Sequence, residues 1–315
     1  NGRLKRLYMG GVLGGGTSLY GAALIRPSEE DFQPGRYYGD RIPRSIWEWP
    51  ISYSDLEPYY SEAERLFGVA GCGDEDYGPL RKPAQGFPGE PLPLHPINQR
   101  IIAANRRHGL KPFQLPLAID SKRCLRCALC AGMPCPTGAR GSSAQLLDSA
   151  QARGLALTVK TRVEVERLAR EPETGTTVVD VLDRASGERR RYRARRYALA
   201  AGAFASPLLL MRSGIEHPQL GRNYMMHLCA LVAGVYPRET EAHASFVKQI
   251  GFWDYYFGTK RFPHKMGLVQ SLGVPGPLMT AKVSPFLPAP VRKFLRERIL
   301  LMAGLIEDLP NPANH

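Results

Sequence analysis

Apolar and polar residues alternate with a period of two in several stretches of the middle of the chain, and that pattern predicts strands. Residues 155–161 and 163–168 form one such pair; residues 176–183 and 189–200 form a second, joined across Ala185-Ser186-Gly187. The apolar end of the last stretch, residues 197–201, runs into Gly202. A helix is expected after it over residues 206–212, where Pro207 suits a first helical turn. The helical period recurs over residues 97–108, 142–153 and 291–305, the last of these basic and amphipathic. Ser54 with Glu57 three residues on reads as a capping box for a helix over residues 56–67. Near the start, Gly14-Gly15-Gly16 precede Thr17-Ser18 and then helix formers. This predicts a glycine turn opening into a helix capped by Thr17 or Ser18. Residues 71–96 read as loop, and from His227 to about Pro288 apolar strands alternate with aromatic loops.

Composition changes this picture little. The chain has 315 residues, 43% of them hydrophobic and 23% charged, enough for one large or two smaller globular domains. Its longest apolar run, residues 197–211, is interrupted by Pro207 and falls short of the roughly 20 residues that span a bilayer. No transmembrane segment is expected, and the reading is a soluble protein or soluble subunit, cytoplasmic or periplasmic. The basic helix 291–305 suits packing on a core better than lying on a membrane, because its apolar side is broad. The net charge of +13 is concentrated around residues 184–196. No recognition motif accompanies it, so a solvated hairpin is preferred to a nucleic-acid surface, and no nucleic-acid partner is expected.

The candidate chemistry lies in two kinds of segment. Gly14, Gly15 and Gly16 lack a Cβ, so a ligand can approach the backbone closely, and free N–H groups at such a turn favour an anion such as a pyrophosphate. The chain contains no G-x-G-x-x-G, and Gly16-Thr17-Ser18-Leu19-Tyr20-Gly21 is one residue longer than the hydrolase elbow. A plain glycine turn is the alternative. Cys124, Cys127, Cys130 and Cys135 follow C-x2-C-x2-C-x4-C-P, one residue longer than a ferredoxin run. Thiolates at such spacing hold an iron–sulfur cluster or zinc; a redox disulfide or reduced, buried thiols are the other readings. Cys72 and Cys229 stand alone, and His95, His108, His217, His227, His243 and His264 show no ligand spacing.

Several segments in order resemble the glucose-methanol-choline (GMC) oxidoreductases. Residues 14–27, from Gly14-Gly15-Gly16-Thr17-Ser18 to Arg26-Pro27, resemble the family's first motif, and residues 202–215 its second. Residues 49–60 are similar to the stretch that opens the substrate domain, residues 220–227 to the return to it, and residues 307–314 to a segment upstream of the catalytic histidine. The cysteine run 124–140 and residues 252–258 resemble the cysteine-bearing bacterial members. Tyr20 stands where many members carry Asn, and Pro218 where the second motif usually closes with Gly.

The resemblance implies an α/β fold, α+β overall: a partial Rossmann-like FAD-binding domain with a discontinuous substrate domain on an antiparallel sheet. Residues 1–45 and 136–227 would form the first domain and residues 46–135 and 228–315 the second. It implies an FAD-dependent oxidoreductase that oxidises the CH–OH group of an alcohol, sugar or polyol by hydride transfer to flavin. Gly15, Gly16, Thr17, Ser18 and Tyr20 would lie near the flavin, Val163 toward the adenine, and Ala201, Gly202 and Ser206 would close the cofactor pocket. Related dehydrogenase subunits carry an iron–sulfur cluster, which would make the four clustered cysteines ligands and a cytochrome or electron-accepting subunit a partner. The family's G-x-G-x-x-G unit is expected before Asn1, and its catalytic His, with a His or Asn partner, after His315. An iron–sulfur electron-transfer protein and the non-catalytic half of a split enzyme are the rival readings.

Overall fold

The computed structural model describes residues 10–130 and 132–314. Met9 of the glycine-rich start, the first nine residues of the expected FAD-binding segment, and His315 lie outside them. The chain forms two compact units: residues 1–155 with 227–307, and residues 156–226 with 308–315.

In the first unit the helices are α1 (Gly35–Tyr38), α2 (Tyr53–Phe67), α3 (Pro96–Arg107), α4 (Ser143–Ala152), α6 (Pro277–Val283) and α7 (Ala289–Arg298). Strands β1 (Pro112–Gln114), β5 (Leu228–Val235), β6 (Ile250–Phe252), β7 (Leu268–Leu272) and β8 (Ile299–Ile306) make one sheet in the order β1-β6-β7-β8-β5. Every pairing in it is antiparallel. The sheet is discontinuous in sequence, since β1 comes from a segment far upstream of its neighbours.

The principal core is gathered around β1 and the extended residues that follow it. Phe113, Leu115, Leu117 and Ile119 are buried with Ala22, Leu92, Phe246 and Leu268. That segment finds backbone partners along its whole length: Leu115 N–H donates to Gln249, Ala118 N–H to Ala22, and Leu117 exchanges two bonds with Ala70. Buried amides so fully paired cannot shift register cheaply. Helix α2 is anchored to it through Arg26, whose guanidinium grips Glu64 in a bidentate pair at 2.7 Å and also donates to Tyr53 and Ser61.

In the second unit, β2 (Val163–Arg170), β3 (Thr177–Asp183) and β4 (Arg189–Arg193) form an antiparallel meander, and α5 (Gly202–Arg212) packs on β2. Ser213 accepts the Leu168 N–H and fixes that docking. The arginines of β4 pair across the strands: Arg189 with Glu166, Arg191 with Asp180, and Arg193 with Glu171. Such exposed pairs define register more than stability.

The mixed helix-and-sheet class agrees with the sequence reading, while several element boundaries differ. No helix follows the glycine turn. Residues 15–18 form one 3-10 turn, and Ala22 at φ 63° sends the chain into pairing with Pro116 and Ala118. The capping box of α2 is Ser52 with Asp55, two residues before the expected pair. The expected helix over 291–305 stops at Arg298, because residues 299–306 enter the sheet between β7 and β5. Helix α5 begins four residues early, so Pro207 falls inside it. Residues 155–160 and 197–200 carry the strand pattern but form no strand among the described residues. Their pattern is that of a strand face, and a strand without a neighbour has no ladder to stabilise it.

Candidate functional site

The glycine turn is built on the N-terminus of α4. Gly14 holds φ 83°, a left-handed conformation that a side chain makes costly. A Cβ there would come within 2.5 Å of Ser18 Oγ and 2.8 Å of the Ala144 amide nitrogen. The hydroxyls that follow turn back on the backbone: Thr17 Oγ1 donates to the Gly14 carbonyl at 2.6 Å, and Ser18 Oγ to that of Leu13 at 2.6 Å. Thr17 Oγ1 also accepts the Ser143 N–H of α4 at 2.9 Å. One residue earlier, Ser142 and Gln145 complete a reciprocal cap for the same helix. Two hydroxyls that looked like helix caps are therefore turn braces, which is the physical reason that no helix starts there.

Gly15 and Gly16 differ from Gly14: among the described residues, their chain neighbours aside, no atom lies within 4 Å of the position a Cβ would take. The turn presents bare backbone outward, beside the positive end of a ten-residue helix. A flat or anionic group fits that surface. Tyr20 packs against the principal core. Its hydroxyl donates to the Gly141 carbonyl at 2.9 Å and its ring lies 5.8 Å from the Arg140 guanidinium. Burial pushes its pKa up to about 12, with the Arg140 charge partly opposing.

The four clustered cysteines follow the central segment. Cys130 is buried in the principal core and Cys124 packs against it. All four are free thiols, and among the described residues no three His, Cys, Asp or Glu side chains are arranged to hold a metal ion. Burial pushes the Cys130 thiol up to about 11 and raises Cys124 as well. Burial also acts to raise Cys135. The Thr137 hydroxyl and the N–H groups of Arg140, Thr137 and Ala139 outweigh it, so this thiol ends below its ordinary value.

The remaining candidates lie on the second unit. Val163 opens β2 opposite Asp183. Gly202 opens α5 at φ 86°, also with open space where a Cβ would stand. Ser206 accepts the Ala201 N–H at 3.1 Å, and no side chain caps the helix start. The structure thus brings Gly15, Gly16, Thr17 and Ser18 together in one turn, and Ala201, Gly202 and Ser206 together in another.

Two groupings escaped the sequence reading. Arg140 is buried and reaches both the glycine turn and the cysteine segment. Its only signal is a basic residue two positions before a helix cap. Lys265, also buried, pairs with Asp31 and Glu307. Tyr256 donates to Asp31 at 2.9 Å and Tyr38 to Glu307 at 2.6 Å, and burial raises both phenols. Partners so distant in sequence leave no local pattern.

Comparison with known proteins agrees with these features. The GMC oxidoreductase family model matches residues 1–229, and the chain belongs to that family. It is 34% identical over 225 residues to 6'''-hydroxyparomomycin C oxidase of Streptomyces lividus, covering 69% of this chain and 40% of that protein. It is 31% identical over 266 residues to paromamine 6'-oxidase of Streptomyces fradiae, covering 78% of this chain and 47% of that protein. With 2-methyl-1,2-propanediol dehydrogenase of Mycolicibacterium austroafricanum it shares 26% identity over 242 residues, 72% of this chain and 43% of that protein. The matched segment covers less than half the length of each of these relatives. Membership implies FAD as the cofactor. The glycine turn fits it, because Gly15 and Gly16 leave the backbone open to close approach.

Proposed function

We propose that this chain holds FAD in an oxidoreductase that converts a CH–OH group of a small polyhydroxylated molecule to a carbonyl. The observation that carries the reading is the turn of residues 14–18, with a braced interior at Gly14 and an open outer face at Gly15 and Gly16, in a chain whose family model covers it. FAD supplies the hydride acceptor for such an oxidation. The chain's own residues bind and orient. Gly15 and Gly16 admit the cofactor, Thr17 and Ser18 fix the turn, and Tyr20 braces it from behind through Gly141. Val163, Ala201, Gly202 and Ser206 are cofactor-binding in this reading as well, supported by the match of Gly202 and Ser206 to the family's second motif and by the bare backbone at Gly202. Residues 1–45 with 136–227 are the FAD-binding portion, and residues 46–135 with 228–315 the substrate portion. No residue of this chain is assigned as proton acceptor.

The substrate class follows from relatives named for hydroxyparomomycin C, paromamine and a diol. Hydroxylated sugars and aminosugars are the first compounds to try. The electrons leave to an acceptor, a partner subunit or cytochrome. An iron–sulfur cluster on Cys124, Cys127, Cys130 and Cys135 would be a second redox group. Iron and labile-sulfide analysis of the same preparation tests for it, since the described residues bring no three such ligands together.

The test uses the product of the complete coding sequence. Under anaerobic conditions paromamine or a related polyol is expected to bleach the oxidised flavin band, and mass spectrometry to show a product two hydrogens lighter. A preparation without flavin, or flavin that no hydroxylated compound bleaches, contradicts the reading. Admission of oxygen then tests the acceptor: prompt return of the band shows that oxygen serves without a partner.

A further inference from the structure

Arg140 is 2% exposed, yet among the described residues no carboxylate pairs with it. Its two terminal nitrogens donate instead to backbone carbonyls of two segments, while Nε has no partner among the described residues. Nη1 donates to Tyr20 at 2.9 Å and to Cys130, and Nη2 donates to Met133 at 2.8 Å and to Ser18. Two of these acceptors lie at the end of the glycine turn and two in the cysteine segment. Further bonds join the same pieces: Gly132 N–H donates to Leu19 at 2.8 Å, and Tyr20 donates to the residue next to Arg140. A planar fork of five N–H donors is the one side chain that can hold four carbonyls in fixed relative positions. A buried cation held only by neutral carbonyls also keeps its whole charge beneath a turn whose outer face suits an anion.

We propose that Arg140 is a positioning residue for the flavin. It sets the shape of the turn of residues 14–18 by clamping it to the carbonyls of Cys130 and Met133, so that the cysteine segment serves the cofactor through carbonyl oxygens rather than through sulfur. The inference rests on the reading of the turn as part of the FAD site. It assigns the cysteine loop a role that needs no metal.

The experiment compares wild type with Arg140→Ala and Arg140→Lys, each made in the complete protein and measured well below its own melting temperature. The dissociation constant of FAD and the visible spectrum of bound flavin are read. Arg140→Ala is expected to weaken FAD roughly tenfold or more and to shift the flavin band, with low millimolar guanidinium restoring part of both. Lysine keeps the charge but not the fork, so Arg140→Lys is expected to remain weakened, and it keeps the test valid should the alanine variant not fold. The combined variant Cys124→Ser, Cys127→Ser, Cys135→Ser is expected to bind FAD as wild type does. Wild-type affinity in Arg140→Lys overturns the proposal, as does weakened binding that guanidinium does not restore and that leaves the flavin band unchanged. Roughly tenfold loss of FAD from the serine variant overturns the part assigned to carbonyls. If wild type binds no flavin, the functional reading fails and takes this inference with it. If wild type binds and both Arg140 variants bind equally well, only this inference fails.

Discussion

The two glycine turns of this chain carry the same signature and are supported in different ways. At Gly14 and at Gly202 a glycine with φ above 80° stands where small residues lead into a turn of helix. The first is enclosed. Its Cβ side faces Ser18 and Ala144, its hydroxyls are committed, and Arg140 clamps it from below. The second is open, with nothing on its Cβ side, exposed neighbours at Ala201 and Ala203, and one bond from Ala201 to Ser206. A glycine can thus be required by packing and conformation together or by conformation alone. The first kind presents a surface already shaped for a ligand.

The contrast is sharpest at Arg140. Arg140→Ala leaves four carbonyls without this donor, that of Ser18 in the glycine turn and that of Tyr20 just after it among them, and should cost about 3 kcal/mol or more of stability by denaturant unfolding. Nothing comparable supports the second turn. Gly14→Ala combines left-handed strain with two close approaches and should cost about 2 kcal/mol or more, whereas Gly202→Ala meets open space and should cost only about 1 kcal/mol. Equal costs in thermal unfolding would remove the distinction between the turns. Ser142→Ala, which uncaps the helix under the first turn, should cost about 1 kcal/mol.

The smallest effect is on thiol chemistry. A lowered pKa means that the Cys135 thiolate persists to lower pH than that of an ordinary cysteine. Alkylation at Cys135 should therefore set in at lower pH than at an ordinary cysteine. Cys130, buried and raised to about 11, should resist until strongly alkaline conditions. Peptide mapping of briefly alkylated protein checks the order. Earlier labelling of Cys130 would mean that its carbonyl is not held as the Arg140 clamp requires.

Much of the second unit's hairpin and of the helices was legible in sequence, because local period and caps decide them: β2, β3, α3 and α4 fall within about two residues of the expected ranges. Residues 299–306 were misread. An apolar run next to a basic helix continues the helical pattern equally well, and only the distant neighbours β5 and β7 make it a strand. Thr17 and Ser18 were read as caps because the sequence does not show that their hydroxyls bend back to Gly14 and Leu13. The glycine turn could be read from composition and family resemblance. Arg140 could not, since its meaning lies in four carbonyls from two other segments, and no periodicity reports a long-range clamp.

In the function proposed above, the open face of the glycine turn admits flavin. The measurement to make is the flavin content of the purified complete protein beside Gly16→Leu, at a position where a Cβ meets no described atom beyond its chain neighbours within 4 Å. The account predicts equimolar FAD in wild type, and in Gly16→Leu a folded protein of near-normal stability that has lost it. Full FAD in both would show that the cofactor does not lie against this turn.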